Sequence, residues 1–487
     1  MKAVKIIFLV SFLLACIQMD AQCYPHSDTI RYDEPYRGQY HFSPKSGWMN
    51  DINGLVYQGG MYHMIYQWAT YTGTAKVWHP RMGGYATSPD LLHWTDKGIA
   101  LIPHRDDLPA GVLPNASGSQ VYSGSAVVVK GTVAKNITGS EKEAIIVIHT
   151  GTGSGTCLAW SNDTGKTFHE YAGNPVVNPT KNDYPRDPCV KWYEPARKWV
   201  LALYKDGTTF YSSPDLIHWD SLSNVRFGYE CPDFFELPLN GDKSRMKWVL
   251  MDAKGKYLVG NFDGVRFTKD PAQDTLLMTV GPDFYAAQTF SRENLPNHDS
   301  RIIQLAWMDC WNGGIGEAPW ERNATFPVEL GLVTYNGQQR ITKNPIREIS
   351  AIYESSHKWD QQIVKAGKNI LSDVRSKKFD LSAEFDLNKT TASEIHFVIA
   401  NKTIVYSIKD KKLQGETLLP DTDNHIQIRI LADWSQMEIF ANKGLFSYAE
   451  QVAFTPSDSS VGLVADGEVQ LVKMEFHEVS RTWKEKL

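Results

Sequence analysis

The heptapeptide Ser88-Pro89-Asp90-Leu91-Leu92-His93-Trp94 recurs, with one change, as Ser213-Pro214-Asp215-Leu216-Ile217-His218-Trp219. Looser copies stand at Ser161-Asn162-Asp163-Thr164-Gly165-Lys166-Thr167-Phe168 and Asn261-Phe262-Asp263-Gly264-Val265-Arg266-Phe267. Each copy reads as a turn. Each ends at the aromatic start of a strand. Between copies run short alternating stretches such as Met61-Tyr62-His63-Met64-Ile65-Tyr66, punctuated by Gly, Asn, Asp and Pro. Helical periodicity is scarce, so the chain reads as all-β. The copies fall about 50 to 70 residues apart, the spacing of four-stranded propeller blades. Residues 35–345 are therefore predicted to form a five-bladed β-propeller.

The pattern shifts after Pro345. Residues 346–368 are polar and mixed, and read as a linker. From 369 to 487 strands return without the Trp-rich turns, for example Ile395-His396-Phe397-Val398 and Ile426-Gln427-Ile428-Arg429-Ile430. This segment is predicted to be a C-terminal β-sandwich. A chain of 487 residues exceeds one ordinary compact domain, in keeping with two.

A net charge of -5 with no basic run gives no footing for nucleic acid. Residues 1–21 read as a secretory signal peptide: Lys2 and Lys5 precede an apolar stretch from Ile6 to Ile17 that is short for a membrane span. Cleavage after Ala21 gives a secreted or periplasmic protein. The alternative is a lipid anchor at Cys16, after Leu14-Ala15. No other segment reads as a membrane span. The six cysteines, Cys16, Cys23, Cys157, Cys189, Cys231 and Cys310, are widely and irregularly spaced. They indicate neither a zinc site nor a dense disulfide framework. Cys189 and Cys231 read as small buried residues.

Three acids stand in distinctive settings. Trp48-Met49-Asn50-Asp51-Ile52-Asn53-Gly54 puts a carboxylate in a polar turn ahead of an apolar run. Arg186-Asp187-Pro188 and Tyr229-Glu230-Cys231-Pro232 follow downstream. Taken singly, Asp51 could be an Asx turn and Asp187 a surface ion pair. Glu230, among aromatic and apolar neighbours, suits general-acid work. Glycosidic hydrolysis needs carboxyl groups in unlike states, one attacking and one protonating.

Together these motifs resemble the three-carboxylate signature of glycoside hydrolase family 32, the invertases, inulinases and levanases. Further similarity runs through Tyr66-Gln67, Tyr122-Ser123-Gly124-Ser125-Ala126, Asp283 to Phe290, Trp307-Met308 with Trp311, and Asp433 to Asn442. The resemblance implies a retaining β-fructofuranosidase acting on fructan or sucrose, with no cofactor and no metal. Asp51 would be the nucleophile, Glu230 the acid/base and Asp187 a transition-state stabiliser beside Arg186. Asn50, Gln67, Trp78, Tyr122, Ser123 and Tyr285 would line the fructosyl pocket, with Trp48, Trp307 and Trp311 as walls. An endo-levanase, a fructosyltransferase and a silent fructan-binding protein are the alternatives. The chain departs from the family at Ile52, where Pro is usual, and at Tyr122, where Phe is usual. It departs again across Val77 to Ala86, where Gly83 and Tyr85 replace a Trp and a His. That stretch is expected at the pocket rim, where it would bear on substrate choice.

Overall fold

Asp90 Oδ1 accepts the N–H groups of Leu92 and His93 at 3.0 and 2.8 Å, and His93 Nδ1 lies 2.7 Å from Oδ2. The Trp94 indole N–H then donates to Leu91 O at 2.9 Å. Asp215 repeats this with Ile217, His218 and Trp219, to within about 0.1 Å. Asp163 and Asp263 cap their own turns through Lys166 and Thr167, and through Val265 and Arg266. All four turns occupy one place, the link from third to fourth strand of a sheet.

The computed structural model describes residues 31–69, 81–102, 120–180, 184–291, 295–308 and 319–483. The expected leader 1–21, Cys16, Trp78 and Trp311 lie outside the described residues. Five antiparallel blades follow one another along the chain. Blade I is Gly47–Gln58, Met61–Ala69, Met82–Ser88 and Thr95–Leu101, and blade II is Val121–Val129, Ala144–Gly151, Gly155–Ser161 and His169–Glu170. Blade III is Arg186–Tyr193, Lys198–Tyr204, Thr208–Ser213 and Asp220–Val225. Blade IV is Asp233–Leu239, Asp242–Met251, Lys256–Phe262 and Phe267–Lys269. Blade V is Tyr285–Thr289, Ile302–Trp307, Val328–Tyr335 and Gln338–Pro345. The ring closes where Trp320–Glu321, from blade V's long connection, pairs in parallel with Gly47 and Trp48.

The C-terminal part is a sandwich of a six-stranded and a five-stranded sheet. Phe379, Leu381, Ala383 and Phe385 point alternately inward along one strand and are buried, the period-2 pattern of a sheet with one wet face. Residues 346–368 are not a bare linker. Tyr353–Val364 is an edge strand paired with Val469–Val479 over its whole length, and Ile349 and Ile352 bury against the propeller core. Polarity misled here because an edge strand of a wet sheet is itself largely polar.

Two seams join sandwich to propeller. In the first, the buried Asp433 carboxylate accepts the N–H groups of Gln39, Tyr40 and Trp434, with His41 Nδ1 at 2.8 Å. His41 Nε2 lies 3.2 Å from Glu438, which accepts the Phe326 N–H at 2.8 Å. In the second, Val280 exchanges backbone bonds with Ser447 and Ala449, and Asp283 Oδ2 accepts the Gln451 N–H at 2.7 Å. The Asp433 to Asn442 motif is thus partly an interface device. Among the described residues no helix is long and apolar enough to cross a membrane.

Candidate active site

Each blade delivers one part of the site at or beside its first strand: Asp51 from I, Ser123 from II, Asp187 from III, Glu230 just ahead of IV, and Tyr285 from V. Regular strands would not aim these side chains together. Between the pairs Met49/Trp68 and Ile52/Tyr66, blade I spends Asn50 and Asp51 against Gln67 alone. Blade II has an extra residue at Ser123, blade III at Asp187-Pro188 and blade V at Ala286-Ala287. Such bulges kink a strand and re-aim what it carries. Asp187, Glu230, Cys231 and Ala286 also hold positive φ, from 39 to 61°, a cost that clusters at functional sites. Gly124 is required: a Cβ there would sit 1.9 Å from Ile148 O.

Asp51 is 9% exposed and surrounded by donors. Oδ1 accepts from Trp307 Nε1 at 2.9 Å and Asn50 Nδ2 at 3.2 Å. Oδ2 accepts from Ser123 Oγ at 2.5 Å, Gln67 Nε2 at 3.3 Å and Cys231 Sγ at 3.4 Å. Burial raises the Asp51 carboxyl above the usual range, while Ser123, Cys231 and the charge of Arg81 pull it down. Asp187, 3% exposed, is pushed up to about 7 by burial and then by the charge of Asp51. The Cys231 N–H, donated to Asp187 Oδ2 at 3.1 Å, and Arg186 oppose that rise.

Glu230 differs from both. Its Oε1 accepts from Arg186 Nη2 at 3.0 Å and Nε at 3.3 Å, and Oε2 from the Tyr285 hydroxyl at 2.7 Å. Its apolar sequence neighbours do not enclose it, since Tyr229 is exposed. A guanidinium and a phenol position it instead. Burial, then the bond to Glu230, raises the Tyr285 hydroxyl far above its ordinary value, so it stays a donor. The arrangement sets a buried, donor-saturated carboxylate beside a more open carboxyl held at both oxygens. One can attack while the other exchanges protons.

Asn50, Gln67, Ser123, Arg186 and Tyr285 join this cluster, and the Tyr122 ring lies 4.9 Å from the Arg81 guanidinium beside it. Asn50 Oδ1 and Gln67 Oε1 are buried acceptors without a partner among the described residues, as groups awaiting a hydroxyl would be. Trp307 needs correction: it is 1% exposed, and serves as the indole donor to Asp51 rather than a wall for sugar. Trp48 is half-buried, with Arg81 and Arg322 guanidinium groups 5.2 and 4.6 Å from its ring centre. Tyr85 also needs correction: it lies inside strand Met82–Ser88 and its hydroxyl bonds His63 Nδ1 at 2.6 Å, whereas Gly83 in the same strand pairs with Gln67, beside Asp51.

The sequence reading missed three contributors. Cys231 bridges the two buried acids with its thiol and its N–H. Arg81 and Arg322 frame Trp48, and Arg322 also lies 4.5 Å from the Trp307 ring. Cysteine beside Glu230 was the signal available for the first, and nothing local marks the two arginines. No group of three or more His, Cys, Asp or Glu among the described residues could hold a metal ion.

The model for the glycosyl hydrolases family 32 N-terminal domain matches residues 41–345, and that for the family's C-terminal domain matches 348–478. The chain belongs to glycosyl hydrolase family 32. Levanase from Bacillus subtilis is 33% identical over 94% of this chain and 72% of its own length. Extracellular exo-inulinase from Aspergillus niger is 28% identical, covering 93% of this chain and 96% of its own. Among solved structures, exo-inulinase from Aspergillus awamori superposes with a TM-score of 0.78 at 26% identity, covering 93% of the family-32 chain and all of its own. Both family domains thus coincide with the propeller and the sandwich built above.

Proposed function

We propose that this family-32 enzyme is a retaining β-fructofuranosidase that releases fructose from the ends of fructans or from sucrose, with Asp51 as nucleophile and Glu230 as acid and base. Asp51 attacks C2 of the terminal fructosyl unit while Glu230 gives a proton to the departing oxygen. Glu230 then takes a proton from water, which opens the covalent intermediate with net retention. Asp187 and the acceptors Asn50 Oδ1 and Gln67 Oε1 bind sugar hydroxyls. Arg186 and Tyr285 fix the Glu230 carboxyl between its two tasks. One observation carries the reading: Cys231 contacts both buried acids, and its chain neighbour Glu230 is turned to the same site under Arg186 and Tyr285.

Asp51→Asn and Glu230→Gln should each cut turnover about 10³-fold or more while the fold survives. A folded Asp51→Asn variant with near-normal activity sinks the nucleophile assignment. Chromatography of products from levan, inulin and sucrose then tests the mode of attack. Free fructose supports release from chain ends, and longer products overturn it. The proposed address is beyond the inner membrane after loss of residues 1–21, with a lipid anchor at Cys16 as the alternative. The mass of the mature N-terminus decides between them.

A further inference from the structure

A second pocket, of about 170 Å³, opens where the residues leading into the propeller meet the sandwich. None of its residues belongs to the site above. Tyr36, Trp434 and Phe454 supply aromatic surface, and Asp33, Asp458 and Lys377 supply charge. At about 30 Å³ per water it has room for five or six waters, roughly the space of one sugar ring.

The pocket is built rather than incidental. The buried Asp433 carboxylate holds the N–H of Trp434 on one wall and those of Gln39 and Tyr40, just past the opposite wall. Tyr36 keeps its place at a φ of +70°, a conformation that surroundings must enforce. Thr455 N–H donates to Asn401 Oδ1 at 3.1 Å, and Asp458 N–H to Thr455 O at 2.9 Å, pinning the third wall. Lys377 reaches Pro456 O and lies 5.6 Å from the Trp434 ring centre.

The chemistry selects a ligand class. Two carboxylates against one lysine, itself engaged with a carbonyl, disfavour an anion. A purely apolar ligand would strip water from those charges without replacing it. A neutral polyol stacked on Trp434 and Tyr36 satisfies both kinds of surface. Resting on the fructosidase reading above, we propose that this pocket is a second, non-catalytic binding site for a sugar unit of the fructan substrate, holding polymer against the sandwich while the propeller cleaves.

Gels containing levan or inulin, with dextran gels as control, measure binding of the slow Asp51→Asn protein. Adding Trp434→Ala should weaken fructan retardation roughly 3- to 10-fold, the loss of one ring contact. In the active enzyme, Trp434→Ala should lower kcat/KM on polymer by a similar factor and leave sucrose, too short to span two sites, unchanged. Thr455→Trp, which fills the pocket from its exposed rim without touching the Asp433 seam, should do the same. Folded variants with unaltered polymer binding and turnover overturn the proposal, as does a parallel loss on sucrose. Wild-type sucrose turnover in Asp51→Asn overturns the catalytic reading instead, and Trp434-dependent retardation stands apart from it.

Discussion

In Asp187→Asn a buried carboxyl becomes a neutral amide of nearly the same shape. Asp187 is held at about 7 in the folded protein, against 3.8 for a free side chain, by burial and by the charge of Asp51. A carboxyl raised on folding binds its proton more tightly in the native state. Its contribution to stability is therefore intact below about pH 4 and is lost as pH rises through about 7. About 3 pH units at about 1.4 kcal/mol each is roughly 4 kcal/mol. The amide avoids that cost and the repulsion from Asp51. It keeps an oxygen for the Cys231 N–H and gives up only an Arg186 contact of 3.8 Å. The expected gain is about 2–4 kcal/mol near pH 8, shrinking to nothing towards pH 4, while turnover collapses. Thermal melts of both proteins across that range read the difference directly. A variant no more stable than wild type near pH 8, or a gain independent of pH, refutes the reasoning.

Ser123→Ala removes the 2.5 Å donor from a carboxylate that burial already raises. kcat/KM should fall by up to about 1.5–3 kcal/mol, roughly 10- to 150-fold, and fall further as pH drops; a loss equal at every pH contradicts this. Cys231→Ala costs one weak donor to Asp51 and keeps the backbone bond to Asp187, so a loss of about 1 kcal/mol is expected in kcat/KM. The native thiol, buried and pushed well up by that burial, should resist iodoacetamide until urea opens the fold, which mass spectrometry reads. At the seam, burial lowers His41, but Asp433 and Glu438 outweigh it and hold the imidazole at about 9 against 6.5. About 3 kcal/mol of stability is thus present below pH 6.5 and lost as pH rises through about 9. Buried Lys343, pushed down to about 7, acts with opposite sign, so wild type and His41→Asn are compared at each pH. Equal alkaline slopes in the two proteins refute the assignment.

The repeated aspartate turns were legible because their chemistry is local: Asp90 and Asp215 bond to groups two and three residues ahead. The acids were legible through a family pattern, and their company only in part. Gln67, Ser123 and Tyr285 carry motif signals. What aims them does not, because a bulge is a mismatch between two strands and has no spelling in either. Trp307 looked like a sugar platform because indole rings often are; its burial follows from the connection that closes the ring. Arg81, just ahead of strand Met82–Ser88, and Arg322, just after Trp320–Glu321, reach Trp48 from distant parts of the chain and left no trace in their own neighbourhoods. Tyr353–Val364 passed for a linker because its partner, Val469–Val479, begins more than a hundred residues later.

Apart from its neighbour Asn50, the donors gathered around Asp51 stand 16, 72, 180 and 256 residues along the chain from it. The strand that carries Asp51 is also the one that Trp320–Glu321 must find to shut the ring. Such long-range meetings raise contact order and slow folding, because chain entropy is spent before the contacts return it. The donor shell of Asp51 is therefore incomplete until Trp307, 256 residues along the chain, has been made and brought back to it. A chain released before residue 307 lacks the indole N–H that holds Asp51 Oδ1. Catalytic activity in this molecule reports that the circle has closed.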